Sequence, residues 1–199
     1  TAICQNITVH LNAAGTATIT GSDVDSGSTD NCGTITLSVS PSTFTCANIG
    51  LNTVVLTVTD NSGNSSTCNA TVNVLDTISP VAVCQNITVY LDATGNAAIT
   101  ASQINNGSSD ACGIANMTVN PSTFTCAGIG PNPVVLTVTD VNGNLASCTG
   151  IVTILDTVPP TAICQNISVD LNANGTVSIT PSQVDNGSND ACGIASRSV

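Results

Sequence analysis

Cysteine and aspartate are the residues with chemical potential in this chain, which contains ten Cys and twelve acidic side chains, all of them Asp. Their spacing is regular: Cys4, Cys84 and Cys164 recur at one fixed interval, and Cys32, Cys112 and Cys192 recur at the same one. A complete repeat holds four cysteines, such as Cys4, Cys32, Cys46 and Cys68. There is no Cys-x-x-Cys pair, and the single His10 becomes Tyr90 and Asp170 in the other repeats. No recurring zinc set exists. The cysteines therefore read as structural disulfides made in an oxidising compartment, and four cysteines allow three pairings.

Seven aspartates also keep their places: Asp30, Asp110 and Asp190; Asp60 and Asp140; Asp76 and Asp156. With one basic residue, Arg197, they lack protein counter-charges, so they are solvated or they hold cations. In a sandwich whose termini lie at opposite poles, the loop ending at Asp110 and the hairpin at Asp140 meet the linker bearing Asp76. Such an oxygen-only cluster suits Ca²⁺, and the next junction would use Asp156 and Asp190. The other reading is that Asp and Asn make turns and cap loops. No complete Asp-x-Asp-x-Asp-Gly loop appears.

Catalysis has little to work with. The one His does not recur as a base, and there is no Gly-x-Ser-x-Gly elbow, acid pair or phosphate loop. The expectation is a non-enzyme without a resident cofactor other than calcium. A net charge of −11 excludes partners that require clustered Lys or Arg, namely nucleic acid and anionic membrane surfaces. No apolar run predicts membrane insertion.

The elements that position these residues are strands. Thr, Val, Ile, Ser, Asn and Gly dominate, which predicts an all-β chain. Val54, Leu56 and Val58 alternate with Thr, as do Ala70, Val72 and Val74 with polar partners, around Asp60-Asn61-Ser62-Gly63-Asn64. That pattern is a β-hairpin, and it returns at 134–154. A first strand runs from Ile3 to Leu11, with a kink near Gln5 to re-aim Cys4. Strands follow at 16–20, 35–39 and 44–46, with a polar loop at 21–33 and either a seventh short strand or a crossover with the same effect expected within 46–52. The expected architecture is tandem, disulfide-stabilised antiparallel β-sandwiches of immunoglobulin or fibronectin type III type, stacked as an end-to-end rod. Repeats are expected at 1–80 and 81–160, with a partial third at 161–199 that stops mid-strand, as in a piece of a longer array. Aromatic content of 2% leaves each core to small aliphatics with Phe44 or Phe124 as its large member. Disulfides would compensate for such a core.

The order Cys-Gln-Asn-Ile-Thr-Val, Asp-Ala-Cys-Gly-Ile, Val-Val-Leu-Thr-Val-Thr-Asp-x-x-Gly-Asn-x-x-x-Cys and Leu-Asp-Thr-x-x-Pro resembles the HYR-like immunoglobulin-fold repeats. It is similar in particular to those of giant cell-surface adhesins of gliding and other Bacteroidetes. The resemblance implies a secreted, cell-surface shaft for adhesion or gliding whose partners are neighbouring repeats, other filament chains or surface polysaccharide. It also implies the pairings Cys4–Cys68 and Cys32–Cys46, repeated as Cys84–Cys148 and Cys112–Cys126. The rival set is Cys4–Cys32 with Cys46–Cys68. Asp76-Thr77-Ile78 and Asp156-Thr157-Val158 resemble the Asp-Ser/Thr-aliphatic O-glycosylation site of Bacteroidetes, which places sugars on Thr77 and Thr157. Two other functions fit the same repeats: a polysaccharide-binding module, and a passive spacer in a secreted hydrolase.

Overall fold

The computed structural model describes residues 1–199. The elements of the first repeat are β1 (Ile7–His10), β2 (Thr16–Thr18), a one-turn helix α1 (Gly21–Val24), β3 (Ile35–Ser40), β4 (Thr43–Thr45), β5 (Gly50–Asp60) and β6 (Ser65–Leu75). The second repeats them as β7 (Ile87–Tyr90), β8 (Asn96–Ala98), α2 (Ala101–Ile104), β9 (Ile114–Asn120), β10 (Thr123–Thr125), β11 (Gly130–Asp140) and β12 (Leu145–Leu155). One helix, α3 (Pro181–Val184), follows. The sheets are β1-β6-β5-β3 with β2-β4, and β7-β12-β11-β9 with β8-β10. This is an all-β sandwich architecture.

By contacts the chain forms two compact units, one of Thr1–Ala82 with Gly107–Met117 and Thr137–Ser147, the other of Val83–Asn106, Thr118–Leu136 and Cys148–Val199. In the first unit the alternation read from the sequence is the packing pattern. Val54, Leu56 and Val58 of β5 and Ala70, Val72 and Val74 of β6 are buried, and Leu11, Ile19, Val24 and Phe44 close over them. Phe44 lies opposite Ala17 in the β2–β4 ladder, so the one large side chain faces a small one across the pair. The second unit buries Leu91, Ile99, Ile104, Phe124, Val134, Leu136, Val152 and Ile154.

The first strand changes partners near Gln5. Cys4 bridges Asp25 antiparallel, with the Gln5 N–H donating to the Val24 carbonyl at 2.9 Å and the Ser26 N–H to the Ile3 carbonyl at 2.9 Å. Asn6 Oδ1 then accepts the Thr71 N–H at 2.7 Å, and from Ile7 onward β1 runs parallel to β6, Ile7 opposite Val72. The switch brings the Cα atoms of Cys4 and Cys68 to 5.9 Å and the disulfide forms; Cys84–Cys148 repeats it at 5.7 Å.

Of the two forms expected for 46–52, no separate strand forms; the chain crosses from the β2-β4 sheet to the larger one through a 3₁₀ turn, Cys46–Asn48, and β5 begins after Ile49. The turn is held by Asn52, whose Nδ2 donates to the carbonyls of Asn48 at 2.6 Å and Gly50 at 3.1 Å. The loop at 21–33 is also not wholly irregular, since α1 occupies its beginning and buries Val24. In 161–199, Cys164 bridges Asp185 and α3 forms, but no strand corresponds to β7 or β8. Those strands pair with β12 and β10, and residues 161–199 hold no counterpart of either partner.

Candidate functional site at the Cys46–Cys112 clasp

The second pair of cysteines in each repeat is where the structure departs most from expectation. Cys46 is bonded to Cys112, with Cα atoms 5.2 Å apart, and Cys126 to Cys192, also at 5.2 Å. The pairings Cys32–Cys46 and Cys112–Cys126 do not form, nor does the rival Cys4–Cys32 with Cys46–Cys68; Cys32 and Cys164 are free and exposed. The reason lies in the length of β5. Cys46 precedes Gly50, at one end of that strand, whereas Cys32 precedes Ile35, which pairs with Asp60 at the other end. Ten extended residues span about 33 Å, and a disulfide needs Cα atoms within about 7 Å. Within one repeat the two sulfurs cannot meet.

In the first unit the clasp seats on a turn. Asn12 makes it: its carbonyl accepts the Gly15 N–H at 2.8 Å, and its Oδ1 accepts the N–H groups of Ala14 at 2.9 Å and Thr16 at 3.2 Å. Gly15 has φ +70° and lies under the disulfide. A Cβ there would stand 2.7 Å from Cys46 Sγ and 3.2 Å from the Ala111 Cβ, so both the dihedral and the space demand glycine. The second unit repeats the arrangement with Gly95, at 2.7 Å from Cys126 Sγ and 3.2 Å from the Ala191 Cβ.

The aspartates shape the loops around these sulfurs. Asp110 Oδ1 accepts the N–H groups of Cys112 at 2.8 Å and Gly113 at 3.2 Å, fixing the loop that presents the cysteine. Asp30 does the same for Cys32 at 2.9 Å and Asp190 for Cys192 at 2.8 Å. Asp140 is spent on its own hairpin: Oδ1 accepts the N–H groups of Asn142 and Asn144 at 2.8 Å each, and Oδ2 the Asn144 side-chain amide at 2.7 Å. Burial pushes its pKa up, but the hydrogen bonds from Asn144, Asn142 and Gly143 outweigh that and hold it below the usual carboxylate value. Asp60 is lowered by the Asn64 side chain first, then by backbone N–H groups. Asp76 Oδ1 accepts the Ile78 N–H and Asp156 Oδ1 the Val158 N–H, each at 3.0 Å.

Of the carboxylates expected to gather, the structure brings together Asp76 with Asp110, beside Cys112, and Asp156 with Asp190, beside Cys192. Asp140 is not in the set. The ligating atoms of each cluster lie within 4.8 Å of one another, and Asp76 Oδ2 is buried without a hydrogen-bond partner. As a calcium cage the donor set is short. The cysteine sulfurs are tied in disulfides and are not thiolates, which leaves two carboxylates, whereas calcium takes six to eight oxygens. Thr77 and Thr157, the sugar candidates, are exposed, and Thr77 Oγ1 lies 3.3 Å from His10 Nδ1. The single Tyr90 is 59% exposed, and the other two aromatics, Phe44 and Phe124, are buried, so no stacking platform of exposed rings forms.

The cross-repeat pairing was invisible to reading along one repeat. The signal that could have found it was Gly15 and Gly95 set against Ala111 and Ala191, small residues recurring at positions where two segments must touch.

No helix is long and apolar enough to cross a membrane. No protein-family model matches the chain, and no curated protein matches it. Among solved structures it is similar to human CDH23 EC21-23, at 15% identity over 93% of this chain and 83% of that one, with a TM-score of 0.42. It is similar to human protocadherin-24 EC1-2 at 11% identity over 76% of this chain and 95% of that one, with a TM-score of 0.40. The fibronectin(III)-like modules of Clostridium thermocellum CbhA give 12% identity over 77% and 91%, with a TM-score of 0.28. These are similarities at low identity, and the fold assignment rests on the sheet topology given above.

Proposed function

We propose that this chain is a segment of extracellular structural repeats, the shaft of a surface adhesin or filament of the HYR-like kind, and that the repeats themselves catalyse nothing. The observation that carries the reading is the clasp: Cys46 of the first repeat bonds to Cys112 of the second, and Cys126 of the second to Cys192 beyond it. A disulfide that joins successive repeats serves an array, and it forms in an oxidising compartment. The rest of the chain supports the same reading. Lys+Arg is 1, so trypsin-like proteases find almost no site, and the repeated aspartates are committed to turns.

A shaft has no ligand of its own. On a glycan array, residues 1–199 therefore stay silent, and saturable binding to any polysaccharide would replace this reading with that of a binding module. Sugars on Thr77 and Thr157 belong to the same proposal. Intact-mass measurement on native material shows added hexose if they are present, and an unmodified mass removes them.

A further inference from the structure

The four disulfides overlap in sequence. Cys4–Cys68 and Cys46–Cys112 share residues 46–68, Cys46–Cys112 and Cys84–Cys148 share 84–112, and Cys84–Cys148 and Cys126–Cys192 share 126–148. Every peptide bond between Cys4 and Cys192 is consequently spanned by at least one disulfide. We propose that the chain is a covalent ladder with two rails. It stays in one piece after any single backbone cut between those cysteines, and it cannot be drawn out to its backbone length.

One rail runs across Cys4–Cys68, along the backbone to Cys84 and across to Cys148; the other runs across Cys46–Cys112, along the backbone to Cys126 and across to Cys192. The backbone segments 46–68, 84–112 and 126–148 are rungs between them. Pulled from its ends, a polypeptide without cross-links extends through every residue, and the stretch from Cys4 to Cys192 reaches about 650 Å at ~3.5 Å for each residue. In the ladder the shortest covalent route crosses from Cys4 to Cys68, runs back along the rung to Cys46, crosses to Cys112, follows the backbone to Cys126 and crosses to Cys192. That route reaches about 140 Å even when every strand has come apart. The inference depends on connectivity alone, so it stands or falls separately from the adhesin reading.

The linker is the place to test it, because the bond between Thr77 and Ile78 is spanned only by Cys46–Cys112. The chain has no Lys, and its one Arg, Arg197, yields only Ser198–Val199. Thr77→Lys therefore creates a unique internal trypsin site. The full chain is oxidised, its free thiols are capped with iodoacetamide, and it is cut in dilute urea so that access to the linker does not decide the result. The expected product stays one covalent species, heavier by one water apart from loss of the C-terminal dipeptide, and separates into two pieces only on reduction. The same cut in a Thr77→Lys, Cys46→Ala, Cys112→Ala variant releases both pieces without reductant. Release from the single variant without reductant overturns the proposal, and is also what a Cys32–Cys46 pairing would give. An independent measurement on the unsubstituted chain is its full extension under force between terminal handles. Reduction is expected to lengthen it about fourfold, the unbridged ends before Cys4 and after Cys192 extending in both states, and equal extension with and without reductant overturns the ladder.

Discussion

Gly15→Ala tests the seating of the clasp, with Gly63→Ala as its internal control. Both glycines lie in the first unit and have left-handed dihedrals, φ +70° and +87°. Placing an L side chain in that region costs about 1–2 kcal/mol, and both variants bear it. They differ in what the new methyl meets. At Gly63 nothing lies within 4 Å, whereas at Gly15 Cys46 Sγ is 2.7 Å away and the Ala111 Cβ 3.2 Å away. Neither neighbour is the end of a flexible side chain, because one is locked in a disulfide and the other is a methyl on its own backbone. Overpacking of this kind costs about 1–3 kcal/mol more. Gly15→Ala should therefore lose about 2–5 kcal/mol and Gly63→Ala about 1–2 kcal/mol, read from urea midpoints at pH 7 under non-reducing conditions. Repeating the pair in a Cys46→Ala, Cys112→Ala background should shrink the difference, since the closest contact is gone and the two sites are coupled. Equal losses for the two glycines in the native background would refute the claim that the disulfide seats against this turn.

Acid stability follows from the hairpin aspartates. Asp60 and Asp140 titrate below the ordinary 3.8 when folded, so their contribution is present above that value and is lost as pH falls through the folded values. The urea midpoint should be level from pH 7 to about 5 and drop on further acidification; a midpoint that rises in acid contradicts the hydrogen-bond account. Because each repeated aspartate heads a turn and only two carboxylates meet at a junction, EDTA is expected to leave the melting temperature unchanged. A rise of several degrees on adding Ca²⁺ would restore the metal reading. Thiol titration of the folded, non-reduced chain should find two reactive groups, Cys32 and Cys164, out of ten cysteines. Reactivity at Cys46 or Cys112 would contradict the clasp. Phe44→Ala should cost about 3–5 kcal/mol, because this fully buried ring is the large member of its core; a loss under about 1 kcal/mol in thermal melts would show that the sandwich does not close on it.

The local elements were legible because they rest on local chemistry. Alternation in 54–58 and 70–74 decides which face is buried, Asp60 to Asn64 supplies a turn with its own hydrogen bonds, and the out-of-phase Cys4 shows that the first strand must change direction. The 3₁₀ turn after Cys46 was less legible, since it is stabilised by Asn52, which lies inside a strand. Repeated aspartates were visible as a pattern, but their roles were not. The same residue type serves a metal or a turn depending on whether backbone N–H groups already occupy its oxygens, as they do at Asp110 and Asp140.

The sequence by itself determined the repeat period, the all-β class, the alternating hairpin residues and the phenylalanine of each core, and the need for cross-links in a chain with so few aromatics, but not the buried Val24 and Ile104. Only the tertiary structure decided which sulfurs meet. A cysteine's neighbours along the chain do not say which end of the sandwich it occupies, and that position is fixed by the course of β5 from Gly50 to Asp60. This strand keeps Cys32 from Cys46, while the cradle at Gly15 holds Cys112 within bonding distance. A near partner in the same repeat was thereby exchanged for one at a sequence separation of 66, and a set of separate loops became a ladder.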